Sequence, residues 1–472
     1  MKKITIVVHD EVFCTLSGLL PTDLNVLRQK FSPYMEGYRF TTKFKIGTWD
    51  GKKHFIEKTG RTYVRLLEFI LPEIEYLGYE LDLQDNRKLV VYPTERVSKD
   101  LFGHILLKEI PFELRDYQVK AINNALDNPF SFTVSATSSG KTSMTAGISQ
   151  IYSKHGHRTV TVVPSEDLCN QTYDFYKMLQ MDVGIYCGDK KDLDHGNIVA
   201  TWQALQYNLS LLETFDVVIW DEAHGCKGDI AMKILTTYGS HLISIIGVTG
   251  TLPKGESDRM AVHAAVGPVV TEIPASLLME LGYITPVEIQ PVEIHENLTE
   301  NFIDYDAETA FINKSPDRLE KIADLIISIS AKHGNTLVLV NSIPFGKKLA
   351  ALIKDAVFLY GDDKSEVRKM YYDKFETENN LVVIATAGIA STGISIDRIF
   401  CLITVDAKKS FIKAIQSIGR ALRKADGKTC AYVYDIYSKL KWAKKHFGDR
   451  KKYYEEAQYP VLKTISVKLG KK

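Results

Sequence analysis

The chain has 472 residues, 45% of them hydrophobic and 25% charged, with a formal net charge of +1. That length predicts about three domains, each able to bury its own core, and the composition is that of a soluble globular protein. A nearly neutral chain excludes recognition of nucleic acid by global charge, so any such partner needs a local basic patch. The six cysteines, Cys14, Cys169, Cys187, Cys226, Cys401 and Cys430, form no Cys-x-x-Cys pair, which leaves no readable zinc site and suits a reducing compartment. The opening MKKITIVVHD turns polar too early for a signal peptide. No apolar run reaches the roughly 20 residues of a membrane helix. The expectation is a cytosolic protein with no membrane partner.

Residues 1–105 read as a small α+β domain. Strand-like runs stand at Ile4–Val8, Tyr38–Ile46 and Lys88–Tyr92. The periodicity of Tyr63–Leu77 predicts a helix with Pro72 as its weak point. The polar stretch Pro93–Asp100 leads away from it. From Leu114 the texture changes to continuous apolar strands separated by helical segments: Ser131–Ala136, Arg158–Val163, Asn197–Thr201, Asp216–Asp221 and Ile243–Gly250. Such strands belong in a parallel sheet covered on both faces. The segment from Gly267 to Pro286 closes this unit. A second series comes at Thr336–Ser342, Ala356–Gly361, Leu381–Thr386, Phe400–Asp406 and Cys430–Tyr437. The expected fold is therefore α/β, with two tandem parallel-sheet domains at 106–290 and 291–437 behind an α+β domain at 1–105. A basic and aromatic extension, 438–472, remains. It reads as a helix packed on the second α/β domain and then a strand near VLKTISVKL, and a DNA contact or a merely solubilising helix stays open.

Three segments carry chemistry. ATSSGKT, Ala136–Thr142, comes after a strand and opens a helical segment, the setting of a phosphate loop. Backbone N–H groups of Thr137, Ser138, Ser139 and Gly140 would approach phosphate oxygens. Lys141 would neutralise the β and γ phosphates, and the Thr142 hydroxyl would reach Mg²⁺. The strict pattern has glycine where Ser135 stands, so this is a variant. DEAH, Asp221–His224, ends the strand DVVIW; Asp221 would hold Mg²⁺ and Glu222 would orient and deprotonate the attacking water. QSIGRALR, Gln416–Arg423, sets Arg420 and Arg423 three apart on one helix face, where guanidiniums would stabilise a transferring phosphoryl group. Alone, each has a structural alternative: an ordinary helix-opening turn, a chance tetrapeptide, a solvated basic face.

Together and in this order, the three segments resemble a superfamily two helicase over Leu114–Tyr437. The resemblance implies two RecA-like motor domains that bind ATP and Mg²⁺ between them. LRDYQ resembles the adenine-recognition motif, which gives Gln118 the base and places Arg115 beside it. VVPSEDL, with Pro164 and Ser165, and TWQAL, with Thr201, Trp202 and Gln203, resemble DNA-contacting motifs. VTGTL resembles the motif in which Thr249 and Thr251 couple hydrolysis to movement, together with His224 of DEAH. LVLVNS resembles the fourth motif. ATAGIASTGISID resembles the fifth, with Thr386 and Thr392 near DNA and Gly393 and Asp397 near the nucleotide. QSIGRALR resembles the sixth and adds Gln416 to the two arginines.

The Pro-Thr-Arg-Glu-Leu-Ala and Ser-Ala-Thr forms of the DEAD-box RNA helicases are absent; TGT and QSIGRALR are closer to DNA repair and recombination members. Gly37–Ile56, GYRFTTKFKIGTWDGKKHFI, resembles the opening domain of the UvsW-type recombination helicases of T-even phages. That implies remodelling of branched DNA: branch migration, fork regression, and removal of an invading strand or of RNA. It also implies the corresponding protein of another phage, a T-five-like one among the candidates, acting as a monomer on DNA in the infected bacterial cytoplasm. In this stretch and just beyond it Arg39, Lys43, Lys45, Lys52, Lys53, Lys58, Arg61 and Arg65 outweigh Asp50 and Glu57 and would neutralise phosphates. Tyr38, Phe40, Trp49 and Phe55 are candidates for stacking on exposed bases. Strand alternation favours the core for Tyr38 and Phe40, and Trp49, in the turn-like GTWDG, fits either role. The competing functions are a double-strand translocase that never separates strands, a non-hydrolysing DNA-binding scaffold, and the motor subunit of a restriction complex.

Overall fold

The computed structural model describes residues 2–88, 90, 92–107, 109–222, 232, 236–250, 252–253, 255–296, 302–361, 363, 365–386, 398–407, 427–456 and 458–469. The chain divides into two compact units, Met1–Ser135 with Gly140–Glu272, and Ile273–Lys472 with the four residues Ala136–Ser139. The break thus falls at Glu272–Ile273 and not at residue 290, and the N-terminal domain shares a unit with the first α/β domain.

In the N-terminal domain, β1 (Lys2–Val8), β2 (Phe13–Ser17), β3 (Arg61–Tyr63) and β4 (Tyr79–Asp85) form a sheet of order β3-β2-β1-β4. β1 runs antiparallel to β2 and parallel to β4. Alternation in β1 sends Ile4, Ile6 and Val8 into the core, where Leu27 of helix Pro21–Lys30 and Ile70 and Ile74 of helix Leu67–Tyr76 join them. The second of these helices runs through Pro72, which removes one N–H from its backbone ladder.

Two expected strands do not form here. Tyr38–Ile46 holds a 3-10 turn, Tyr38–Phe40, and a helical turn, Thr42–Lys45. Its aromatic and β-branched residues favour a strand. Gly37, at φ 71°, turns the chain, and Thr41 then caps the helical turn by accepting the Phe44 N–H. Among the described residues of Lys88–Tyr92 there is no strand either. The pairing belongs to β4, whose polar sequence YELDLQD concealed it.

The first α/β domain opens with a small hairpin, β5 (Leu106–Leu107) and β6 (Ile110–Pro111). Its main strands are β7 (Phe130–Ser135), β8 (Thr159–Val163), β9 (Val183–Cys187), β10 (Lys190–Asp192), β11 (Asn197–Thr201), β12 (Val217–Asp221), β13 (Ser244–Thr249) and β14 (Val269–Ile273). They lie in the order β10-β9-β11-β8-β12-β13-β7-β14. The run from β9 to β7 is parallel throughout. β9 escapes a search for uninterrupted apolar runs because Gly184 breaks it. A side chain there would meet the Asp192 carbonyl of the β10 hairpin at 2.2 Å.

The second unit places β15 (Val287–His295), β16 (Thr336–Val340), β17 (Val357–Leu359), β18 (Val382–Thr386), β19 (Cys401–Val405), β20 (Ala431–Ser438) and β21 (Ile465–Lys468) in the order β17-β18-β16-β19-β20-β15-β21. β15 was hidden by Pro291 and by the glutamates that interrupt its apolar residues. The C-terminal extension is a helix, Lys441–Glu456, and then β21, which pairs with β15 in this sheet.

The N-terminal domain and the first α/β domain share one continuous apolar core. At their seam the Arg65 guanidinium lies 4.1 Å over the Phe130 ring. Phe69 packs on His263 at 4.6 Å, and Glu68 pairs with His263. Burial pulls the Arg65 guanidinium down to about 10, which still leaves it charged at neutral pH.

Close packing of β13 on β7 rests on Gly247, register partner of Phe132; a Cβ there would lie 2.2 Å from the Phe132 ring. Gly247→Ala is expected to destabilise the first unit by about 1–3 kcal/mol through overpacking, read as a lower midpoint of its thermal unfolding.

Candidate functional site

Every central strand of the first sheet from β8 to β13 is buried from end to end, so polar side chains collect where the strands stop. Asp221 is the last residue of β12, Thr249 the last of β13 and Ser135 the last of β7. Registers Asp221↔Val248 and Thr249↔Val134 bring these three ends to one edge.

From Ser135 the chain passes through Ala136, Thr137, Ser138 and Ser139, with Ser138 at φ 67° and Gly140 at φ 78°. These left-handed residues turn the backbone sharply into helix Lys141–Lys154, whose N-cap is Gly140. Fourteen residues of helix thus start at this loop, with the positive end of the dipole facing it. Lys141 Nζ lies 3.7 Å from Glu222 Oε1, and both side chains are largely shielded from solvent. Gly250 adjoins the same ammonium: a Cβ there would stand 3.6 Å from Lys141 Nζ. Glu222 is itself left-handed, at φ 51°, and its N–H donates to Asp221 Oδ1 at 2.9 Å. The chain therefore turns at Glu222, immediately after β12.

Gln118 is buried on helix Asp116–Asp127, and its Oε1 accepts the Arg115 N–H at 2.9 Å. Arg115 Nη1 donates to the Tyr117 hydroxyl at 2.7 Å. The Gln118 amide reaches the loop: a Cβ on Gly140 would sit 2.3 Å from its Nε2. Lys141, Glu222, Asp221, Gly250, Gln118 and Gly140 thus converge.

The neighbouring strands β8 and β11 end on the same edge. Ser165 caps helix Glu166–Met178 by accepting the Leu168 N–H, and Thr201 caps helix Trp202–Tyr207 by accepting the Ala204 N–H. Gln203 Nε2 donates to the Pro164 carbonyl at 3.1 Å and ties the two segments together. Pro164, Ser165 and Gln203 are exposed, whereas Thr201 is buried and Trp202 packs against the core. Trp202 therefore serves packing more than any outward contact.

In the second unit Thr386 ends β18 half-exposed. His224, Thr251, Thr392, Gly393, Asp397, Gln416, Arg420 and Arg423 lie outside the described residues.

In the N-terminal domain Arg39, Lys43 and Lys45 surround the turns at Tyr38–Lys45, with Lys43 and Lys45 exposed. Lys52 Nζ lies 4.9 Å from the Tyr34 ring, and Tyr34 stacks on Tyr38 at 4.5 Å. Lys53 lies over Phe55 at 5.8 Å. Two aromatics depart from expectation. Phe40 is 84% exposed and belongs to no core, because the turn that replaces the strand points it outward. Phe55 is 1% exposed and belongs to the core, so it offers no stacking face. Trp49 is half-buried, and its indole N–H donates to the Lys52 carbonyl at 3.0 Å, closing the GTWDG turn. Arg65 is engaged at the seam and adds nothing to the basic surface. Sequence reasoning passed over Tyr34 and Ile46, both exposed beside the lysines; an apolar residue inside a basic run was the available signal.

Three family models match. "DNA helicase UvsW, N-terminal" covers residues 22–83, "Type III restriction enzyme, res subunit" covers 111–254, and "Helicase conserved C-terminal domain" covers 317–425. The chain is 26% identical to the ATP-dependent DNA helicase uvsW of Enterobacteria phage T4 over 490 aligned residues, spanning 93% of this chain and 95% of that protein. It is 23% identical to putative helicase 22 of a Sulfolobus islandicus filamentous virus, over 91% of this chain and 83% of the relative. The crystal structure of T4 UvsW matches 99% of this chain and all of its own, with a TM-score of 0.50 and 21% identity. A DNA-bound Type ISP restriction-modification enzyme, LlaBIII, matches 83% of this chain and 34% of its own, with a TM-score of 0.59 and 14% identity. The two parallel sheets are accordingly tandem RecA-like domains behind a UvsW-type N-terminal domain.

Gly140 supplies a sharp test of the loop. Gly140→Ala adds a Cβ against the Gln118 amide at a φ of +78°. It is expected to weaken binding of a fluorescent ATP analogue by at least about tenfold, roughly 1.4 kcal/mol, while circular dichroism stays unchanged.

Proposed function

We propose that this chain, a superfamily two helicase resembling UvsW of phage T4, uses ATP hydrolysis to remodel branched DNA in phage recombination, repair and replication. One observation carries the hydrolytic part: Lys141, Glu222, Asp221 and Gly250 meet where β7, β12 and β13 end, beside the helix opened by Gly140. Likeness to UvsW along almost the whole chain supports the DNA part.

In this reading Gln118 holds the adenine base, with Arg115 beside it, and the backbone N–H groups of Thr137–Thr142 cradle the phosphates. Lys141 leaves Glu222 to pair with the β and γ phosphates. That frees the Glu222 carboxylate to orient and deprotonate the attacking water. The donor set fits Mg²⁺: the Thr142 hydroxyl and the Asp221 carboxylate are hard oxygens, and magnesium bound with a nucleotide needs only one or two protein ligands. An ion bound by these two groups would neutralise phosphate charge. Gln416, Arg420 and Arg423, with Gly393 and Asp397, complete the site from the second motor domain, so ATP favours a closed pair and hydrolysis reopens it. His224, Thr249 and Thr251 pass the change to DNA held by Pro164, Ser165, Gln203, Thr386 and Thr392, while Thr201, buried, caps the helix that carries Gln203. The Arg39, Lys43, Lys45, Lys52 and Lys53 surface, with Phe40 projecting from it, holds the branch point by phosphate contacts and base stacking. The protein acts as a monomer on DNA in the host cytoplasm; among the described residues no helix is long and apolar enough to cross a membrane.

A second reading, translocation on duplex DNA without strand separation, is favoured by the restriction-enzyme family model over the first motor domain. The two separate on a four-way junction, which a translocase of that kind leaves intact.

The deciding experiment measures ATP turnover with no nucleic acid, single strands, duplex, four-way junction and RNA. Salt is held fixed because phosphate contacts make affinity steeply salt-dependent. Strongest stimulation by the junction is expected; stimulation by RNA alone would overturn the DNA assignment. Lys43→Glu with Lys45→Glu should narrow the preference for junction over duplex and leave turnover without DNA unchanged. Glu222→Gln should retain ATP binding and lose about 100-fold or more in kcat, and Lys141→Ala should lose both binding and turnover. Normal turnover in Glu222→Gln would reassign the base.

A further inference from the structure

The C-terminal helix Lys441–Glu456 carries Lys441, Lys444, Lys445, Lys451 and Lys452, and its sequence reads as a solvated basic face. Its inner stripe is different. Ala443, Phe447, Arg450 and Tyr454 are all buried, at the spacing of one helix face. Phe447 stacks on Tyr437 of β20 at 3.9 Å and 5°. Glu308, itself buried, caps the helix start by accepting the N–H groups of Trp442 at 3.0 Å and Ala443 at 2.7 Å.

Arg450 forms a buried ion pair with Asp435 of β20. Nε donates to Oδ2 at 2.8 Å and Nη2 to Oδ1 at 2.7 Å. Asp435 is completed by the hydroxyls of Tyr454 at 2.9 Å and Thr404 at 3.2 Å. The bidentate geometry and the two hydroxyls answer the desolvation of these buried charges, and they leave one guanidinium nitrogen for another use. The third guanidinium nitrogen shows one: Nη1 donates to the carbonyl of Ala407.

Ala407 lies just past β19 and is the last described residue before the segment 408–426, which carries Gln416, Arg420 and Arg423. The turn that leads there is held on every side. Asp406 is left-handed, at φ 47°. Its N–H donates to the Ile436 carbonyl at 2.9 Å, and its own carbonyl accepts the Asn341 side chain. Its carboxylate pairs at 2.8 Å with Arg318, which is fully buried and also binds Glu296 at 3.0 Å. A non-glycine residue in this conformation persists only where its surroundings impose it.

We propose that Arg450 is a positioning residue for ATP hydrolysis: through the Ala407 carbonyl, the C-terminal helix fixes the turn Asp406–Ala407, from which the chain continues to Gln416, Arg420 and Arg423. The inference rests on the reading of those two arginines as groups that stabilise the transferring phosphoryl. Arg450 touches no substrate. It would act on kcat, which depends on where the segment lies, and not on nucleotide affinity, which the first motor domain supplies.

The test uses the full-length chain. Arg450→Lys keeps a cation opposite Asp435 but lacks the planar fork that serves Asp435 and Ala407 together. Expected are an unchanged KM for ATP, a fall of about tenfold or more in DNA-stimulated kcat, and faster amide exchange across residues 408–426 with β20 unaffected. Tyr454→Phe removes one bond to Asp435, spares Ala407 and should leave kcat alone. In the double variant with Arg423→Ala, the losses should fail to add, since both act through one segment. Wild-type kcat and wild-type exchange in Arg450→Lys would overturn the proposal, as would fully additive losses. Should Arg450→Lys fail to fold, amide exchange in Tyr454→Phe and Asp435→Asn carries the test. Faster exchange over 408–426 in Asp435→Asn alone supports the proposal, and equal protection in both overturns it. Full turnover in Arg423→Ala with Arg420→Ala would instead sink the reading of the arginines and leave the exchange result standing.

Discussion

A strand covered on both faces has no room for a charge along its length. β8, β9, β11 and β12 are buried at all five positions, and β13 at all six. An isolated ion in that layer would cost many kcal/mol, so the polar chemistry of the first motor domain is displaced to the carboxyl ends of the strands. Because the strands are parallel, those ends lie side by side. Strand order then becomes a map of function. β12, β13 and β7 are neighbours and bring Asp221, Thr249 and Ser135 together, while β8, next to β12, and β11, next to β8, lead into Pro164–Ser165 and Thr201–Gln203. The groups read as hydrolytic and those read as DNA-contacting are next to each other because β8 pairs with β12.

In the second sheet charge does enter the layer. Asp435, on β20, is fully buried, and so is Arg318, on the helix Pro316–His333 outside the sheet. Each is tolerated because an opposite charge and several hydrogen bonds answer it. Both networks meet at Asp406–Ala407, one through Arg318 and the other through Arg450. Burial raises the Glu296 carboxyl above its ordinary range while Arg318 pulls it the other way, so that network is balanced and not simply stabilising. The C-terminal extension, which looks like a soluble appendage, is part of this second layer: its helix caps on Glu308 and its strand β21 continues the sheet.

Much of this could be read from the sequence, for a physical reason. Parallel strands buried on both faces advertise themselves as unbroken apolar runs, and a phosphate loop needs small residues, lysine and threonine immediately after one. Both signals are local. What escaped depends on partners distant in sequence. β4 is polar because only one of its faces is covered; β9 needs Gly184 to admit β10; β15 carries Pro291 and two glutamates. The turns at Tyr38–Lys45 looked like a strand because propensity favoured one while Gly37 and Thr41 redirected the chain, which reversed the burial assigned to Phe40. The buried stripe Ala443, Phe447, Arg450 and Tyr454 has helical period and was open to detection, but lysines on the other face masked it. Phe55 and Arg65 counted as surface groups only because nothing local marks a residue as facing a core or another domain.

Phe69, Arg65 and Glu68 meet Phe130 and His263 across a seam where two domains share one core. Parts joined in this way are not interchangeable modules. A genetic crossover between related genes that replaced only the first hundred residues would set a foreign surface against Phe130 and His263, and the hybrid would expose apolar area on both sides of the mismatch. The natural unit of inheritance therefore extends past the N-terminal domain to at least His263, and a viable exchange carries the domain's docking site along with it.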